Sequence, residues 1–184
     1  SHDLKNLVCA AADATQKVEE GFEGKGGMVY VANAENWLQW LYAFNGHELN
    51  EEGNGYNFHT QEAIDASMFL LDLKNSGCLY LFDGYPNPLQ AHRSAMISMS
   101  STAGIPYYVS AFRKANNSDV WGFIAAPGPD GKKAVDSFQQ MLGMINGTVE
   151  EEMGSWLFMK WLTSPEIQAR WLKIHHGYYG THYS

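Results

Sequence analysis

Residues 89–108, reading LQAHRSAMISMSSTAGIPYY, constrain the fold more than any other stretch of this chain. Residues 95–99 (Ala-Met-Ile-Ser-Met) are small and apolar enough for a short buried strand, and the pattern predicts one there. Five small residues follow, Ser100, Ser101, Thr102, Ala103 and Gly104, three of them with hydroxyls. A helical pattern then starts after Pro106 and carries Tyr107, Tyr108 and Phe112. A strand that runs through a small polar turn into a helix is a unit of open α/β folds. It points hydroxyls and free backbone N–H groups into the crevice at the carboxyl end of the strand. The same string also reads as a Ser/Thr turn that does nothing but cap a helix.

The flanking elements favour an α/β chain. Leu4, Leu7, Val8 and Ala11 recur at helical spacing and predict a first helix over about 3–20. Residues 21–27 (Gly-Phe-Glu-Gly-Lys-Gly-Gly) break it. They read as a surface turn and not as a phosphate loop, because a β-like stretch at 28–32 follows them where a phosphate loop needs a helix N-terminus. Asn33 is placed to cap a helix to about Phe44, with Trp37, Leu41 and Phe44 on one face. Trp40 reads as core, whereas Asn36 and Trp37 lie at the helix start, where accessible groups concentrate. Thr60 caps a further helix ended by Gly77, with Ile64, Met68 and Leu71 as its apolar face and Phe69 beside them in the core. Residues 79–89 read as irregular, 120–126 as a strand, and 134–145 as extended. Thr148 with Glu151 makes a capping box, and Ser164-Pro165-Glu166 starts a last helix to about Ile174. Strands alternating with helices give the α/β class.

Several chemistries are excluded. A formal net charge of −8 with two close basic pairs, Arg113-Lys114 and Lys132-Lys133, argues against a nucleic-acid partner. No nucleophile elbow occurs, and His175, His176 and His182 match no metal-ligand spacing, so neither a catalytic residue, a metal nor a cofactor is expected. Cys9 and Cys78 are too few for a zinc site. Paired, they would close a loop of about 70 residues and imply an oxidising compartment; unpaired, they would be two buried thiols.

Several strings together resemble family 1 of the extracellular solute-binding proteins of ABC transporters, the family that contains maltose-type sugar binders. A helix ending in a Leu-x-x-x-Gly pattern is matched at 73–77, and the strand entry and small polar turn after it at 89–96 and 100–102. A Trp-Gly…Pro-Gly-Pro-Asp-Gly-Lys segment is matched at 121–132, and a double helix with a Trp-Leu-Thr-Ser-Pro-Glu joint at 154–171. The closing aromatic string is echoed at 177–184. His92 stands where the family usually has Gly, Gly180 where Pro is common, and Phe138-Gln139-Gln140 in a usually Gly-rich strand.

The resemblance implies a periplasmic-binding-protein-like (type II) α/β lobe, with a sheet flanked by helices and an incomplete second lobe. Residues 1–130 would form a second-lobe-like domain, and 131–184 a segment that returns to the first lobe. Such a chain is a fragment lacking much of one lobe, open to packing or swapping as a dimer. The implied function is capture of a polar solute, a sugar or oligosaccharide, in an interlobe cleft and its presentation to a membrane permease. The implied location is extracytoplasmic, periplasmic or anchored as a lipoprotein on the cell surface. Carried over by position, the ligand-binding residues are Asn33, Asn36, Trp37, Ser100, Ser101 and Thr102, with Phe138 and Tyr178 from the returning segment. Thr102 stands where sugar binders often place a tryptophan, which leaves the solute open. The alternatives are a fragment of a carbohydrate-active enzyme, which needs two carboxylates about 5–10 Å apart across a cleft, and a structural or interaction domain without a ligand.

Overall fold

Apolar runs too short for helices form a three-stranded parallel sheet. The computed structural model of this chain describes residues 2–15, 26–129, 131–136 and 142–175. Strands β1 (Met28–Tyr30), β2 (Leu79–Leu81) and β3 (Ile97–Ser98) lie in the order β2-β1-β3. Met28 pairs with Leu79 on one side and with Ile97 on the other. The central strand β1 is buried at all three positions. Alternation divides its side chains between two cores. Met28 and Tyr30 join Val8, Trp40, Ala66, Leu73 and Leu79, while Val29 meets Leu89 and Ala95 on the opposite face. Burial pushes the Tyr30 phenol up to about 12.

Among the described residues, helices α1 (His2–Ala14), α2 (Ala34–Ala43), α3 (Gln61–Asn75), the short α4 (Asn87–Ala91) and α5 (Ile105–Lys114) flank these strands. Asn33 caps α2 and Thr60 caps α3, each side chain accepting an N–H of the first turn. Gly77, at φ +71°, lets the chain reverse after α3 into β2. A disulfide joins Cys9 on α1 to Cys78 just before β2.

The structure corrects several sequence expectations. The stripe Ile64, Met68 and Leu71 is exposed, and α3 buries Ala63, Ala66 and Leu73 instead. Packing chose the small-residue face because alanines let α3 approach its neighbours closely. Gly26 and Gly27 are buried and not on the surface. A methyl group on Gly27 would collide with the Val8 carbonyl, so glycine is what allows α1 to seat there. Residues 79–89 hold a strand and the start of a helix. In 120–127 only Ala126–Pro127 (β4) is paired, antiparallel to Lys133–Ala134 (β5), and Val120 is fully exposed.

The chain divides into two compact units, Ser1–Ser100 with Tyr107–Asp136, and Ser101–Pro106 with Ser137–Ser184. Among the described residues, the second contains a 3-10 turn (Thr102–Gly104) and the helices α6 (Val149–Leu162) and α7 (Pro165–His175). Thr148 and Glu151 form a reciprocal capping box at the start of α6. The Ser164 hydroxyl departs from expectation: it donates back to the Trp161 carbonyl at 2.7 Å instead of capping α7.

The capping box has a pH signature. Hydrogen bonds from the Thr148 backbone N–H and hydroxyl hold the Glu151 carboxyl below its usual range. A carboxylate depressed in the folded state adds stability above its unfolded pKa and loses it as pH falls through the folded value. Helicity of α6 is therefore expected to fall on acidification below the ordinary carboxylate range. In Glu151→Gln, circular dichroism across an acid titration is expected to show a smaller acid-dependent loss; an unchanged acid limb would remove Glu151 as its source.

Candidate functional site

The carboxyl ends of β1 and β3 emerge side by side. Their parallel register, with Val29 opposite Ser98, carries the chain after Val31 and the chain at Ser100 to the same edge of the sheet. Crevices at this edge are where open α/β sheets bind ligands. Asn33, Asn36 and Trp37, on the turn into α2, and Ser100, just past β3, are the sequence-selected residues that share it.

Much of their polar capacity is already engaged. The Asn33 Oδ1 accepts the Asn36 N–H at 2.8 Å, and the Asn36 Nδ2 donates to the Val31 carbonyl at 2.8 Å. These two bonds fix the turn from β1 into α2 and occupy the Asn33 Oδ1 and one N–H of the Asn36 amide. The Trp37 Nε1 donates to the Ser67 hydroxyl at 3.1 Å, and that hydroxyl donates to the Ala63 carbonyl at 2.8 Å. Trp37 is therefore clamped to α3 and has only its ring to offer a ligand. It is half-buried, whereas Trp40, one turn further, is 3% exposed with its Nε1 on the Met99 sulfur at 2.9 Å. Two tryptophans three residues apart thus occupy different environments.

Ser100 belongs to a hydroxyl network. The Ser98 hydroxyl donates to the Gln90 Oε1 at 2.8 Å, so the Tyr108 hydroxyl, 2.6 Å away, is the donor to Ser98. Ser100 also bonds the Tyr108 phenol. Burial raises the Tyr108 pKa, and the two serines partly offset that rise. This network ties α5 to β3 and engages Ser100, which the sequence alone assigned to a ligand. Ser101 and Thr102 belong to the second unit. Phe138 and Tyr178 lie outside the described residues, as do His176 and His182.

Two residues beside Trp37 were not anticipated. Phe58 meets the Trp37 ring edge-on at 5.4 Å, and Tyr56 stacks on Phe58 at 5.3 Å with an interplanar angle of 14°. Tyr56 is 79% exposed. The loop that carries them is braced by Asn50, whose side chain accepts the N–H groups of Asn54 and Gly55. The signal in the sequence was the Tyr56-Asn57-Phe58 alternation beside a pairing segment, visible only once Leu49 is known to bridge Tyr56. A shallow cleft of about 550 Å³ lies on the same loop, lined by Tyr42, His47, Glu48 and Asn57 among others, and contains none of the sequence-selected residues.

Among the described residues, no three or more His, Cys, Asp or Glu side chains gather to hold a metal ion. Among them, too, no helix is long and apolar enough to cross a membrane. A family model described as bacterial extracellular solute-binding protein matches residues 3–182. No curated protein matches the sequence.

Proposed function

The chain belongs to the bacterial extracellular solute-binding proteins, and from that premise we propose that it captures a sugar or oligosaccharide for an ABC importer. The observation that carries the reading is the family match over nearly the whole chain. Supporting it are an aromatic ring and two side-chain amides at the edge where β1 and β3 end. Aromatic faces pack against the apolar face of a sugar ring, and amides bond its hydroxyls. Asn33, Asn36 and Trp37 are the proposed contacts, with Ser100, Ser101 and Thr102 following β3, and Phe138 and Tyr178 contributed by the later segment. In the same reading, residues 1–130 form a second-lobe-like domain and 131–184 a returning segment. The protein performs no chemistry, and it works outside the cytoplasm, in a periplasm or tethered to the cell surface. The Cys9–Cys78 bridge fits an oxidising setting of that kind.

Isothermal calorimetry against mono- and oligosaccharides tests this. A binding sugar is expected to raise the melting temperature by mass action. Trp37→Ala is expected to weaken binding about 10- to 100-fold, the equivalent of about 1.4–2.8 kcal/mol. A sugar bound equally well by this variant would remove Trp37 from the site, and turnover of a glycoside would replace the binding function with an enzymatic one.

A further inference from the structure

The chain leaves the first unit after Ser100, returns to it at Tyr107 and leaves it again after Asp136. At each exit the last residue of the first unit is held by a side chain of that same unit. Ser100 bonds the Tyr108 phenol, which ties the outgoing strand end to the helix on which the chain returns. Asp136 is held from α2. Its backbone N–H donates to the Gln39 Oε1 at 2.7 Å, and the Gln39 Nε2 donates to the Ala134 carbonyl at 2.5 Å. A donor on one carbonyl and an acceptor on the N–H two residues further is how a parallel strand bonds its neighbour. The Gln39 amide thus takes the place of a neighbouring strand along 134–136, across 97 residues of sequence.

The place of Gln39 on α2 gives this grip a functional side. The first turn of α2 carries Asn36 and Trp37, and Gln39 follows them on the same helix. The rest of α2 seats the β4–β5 hairpin. Ala126 and Ala134 pack against the core that contains Trp40 and Ala43. A methyl group on Gly128 would collide with the Ala43 carbonyl, and the Lys132 Nζ donates to the Asn45 Oδ1 at 3.0 Å just past the helix end. Helix and hairpin are therefore one packed body up to Asp136, the residue at which Gln39 takes hold. We propose that Gln39 is a positioning residue for solute binding: it fixes the exit at Asp136 to the helix that carries Asn36 and Trp37. The inference rests on the reading of those residues as solute contacts. Without the grip, residues 134–136 lose their tie to α2 and the free connection lengthens backward into the first unit. The proposed contacts precede and follow this exit along the chain. Every residue freed there adds conformational entropy that must be removed when a solute engages them.

Gln39→Met keeps the length and apolar stem of the side chain and removes both bonds. Hydrogen exchange followed residue by residue by NMR is expected to show the Asp136 amide exchanging about tenfold faster, the equivalent of one hydrogen bond, while the β1 amides hold their protection. Stopped-flow fluorescence is expected to show a sugar bound by the native chain leaving the variant about tenfold faster. Lys132→Met removes the hairpin's bond to Asn45, away from the exit, and is expected to change neither rate. Circular dichroism checks that both variants fold. An Asp136 amide that exchanges as in the native chain would overturn the proposal. So would faster exchange with unaltered solute release, which would make the grip purely structural. Equal effects of the two variants would assign the change to the hairpin as a whole and overturn it as well. Failure of the underlying reading looks different. A native chain that binds no sugar overturns the solute site and the role of Gln39 with it, whereas binding that Trp37→Ala weakens and Gln39→Met leaves untouched overturns the role of Gln39 alone.

Discussion

Removing the Cys9–Cys78 bridge is expected to cost about 4 kcal/mol, the value the chain-entropy model assigns to a closed loop of about 70 residues. Against a total of about 5–15 kcal/mol for a typical domain, that loss is large. Its consequence is local, because the bridge is the covalent tie between α1 and the sheet. The remaining ties are weaker. Val8 is fully buried in the core, Gly27 lets the helix approach β1, and Lys5 pairs with Asp72 at 2.6 Å. That ion pair is partly exposed and contributes at most about 1 kcal/mol. Urea unfolding of the native protein with and without reductant reads the effect. The double variant Cys9→Ala/Cys78→Ala is expected to match the reduced protein and to ignore reductant. Cys78 is 4% exposed, so alanine is a better replacement there than serine, whose hydroxyl would be buried. A midpoint unmoved by reduction would show that the bridge adds nothing, and two titratable thiols in unfolded, unreduced protein would show that it does not form.

Trp40→Ala is expected to destabilise the first unit by about 3–5 kcal/mol, the usual cost of truncating a large buried aromatic. Its ring packs on Phe69 at 5.3 Å, and its indole N–H reaches the Met99 sulfur beyond β3. The side chain thereby joins α2, α3 and the β3 strand end. Trp37→Ala makes the contrast, since Trp37 is half-buried and is expected to lose little more than about 1 kcal/mol of stability along with its hydrogen bond to Ser67. Chemical denaturation of both variants checks the pair. Equal losses would mean that Trp37 is also a core residue, and the proposed division between a structural and a ligand-facing tryptophan would fall.

Local signals were read correctly where the physics is local. The caps at Asn33, Thr60 and Thr148 each join a side chain to a backbone N–H three residues on, and such bonds form whatever the rest of the chain does. The turn at Gly77 is of the same kind. The α3 face was misread because Ile64, Met68 and Leu71 look more hydrophobic than Ala63 and Ala66. Close helix approach rewards small residues, and only the positions of α1, α2 and the sheet show which face must come close. The 120–126 segment was misread for a related reason. A β-like composition permits a strand, but pairing needs a partner in reach, and β5 offers one only at Ala126–Pro127.

The site divides along the same line. That Asn33, Asn36 and Trp37 stand at a helix start was legible because a helix start after a strand is a local pattern. What each side chain has left to offer was not. That the Trp37 N–H is taken by Ser67, 30 residues away, and that Tyr56 and Phe58 stand beside it, depends on where α3 and the 48–58 loop lie.

Sequence alone therefore determined the α/β class, the helix starts capped by Asn33, Thr60 and Thr148, and the passage from β3 through a small polar turn into α5. It also carried the family signature that the match over 3–182 bears out. Each of these rests on interactions between near neighbours or on a long pattern of residue types. Tertiary structure decided which face of α3 is buried, what the Trp37 N–H bonds, and whose hydroxyls Ser98 and Ser100 meet. Those outcomes depend on contacts between segments remote along the chain, where close packing and the need to pair every buried polar group select among patterns that sequence leaves equally open.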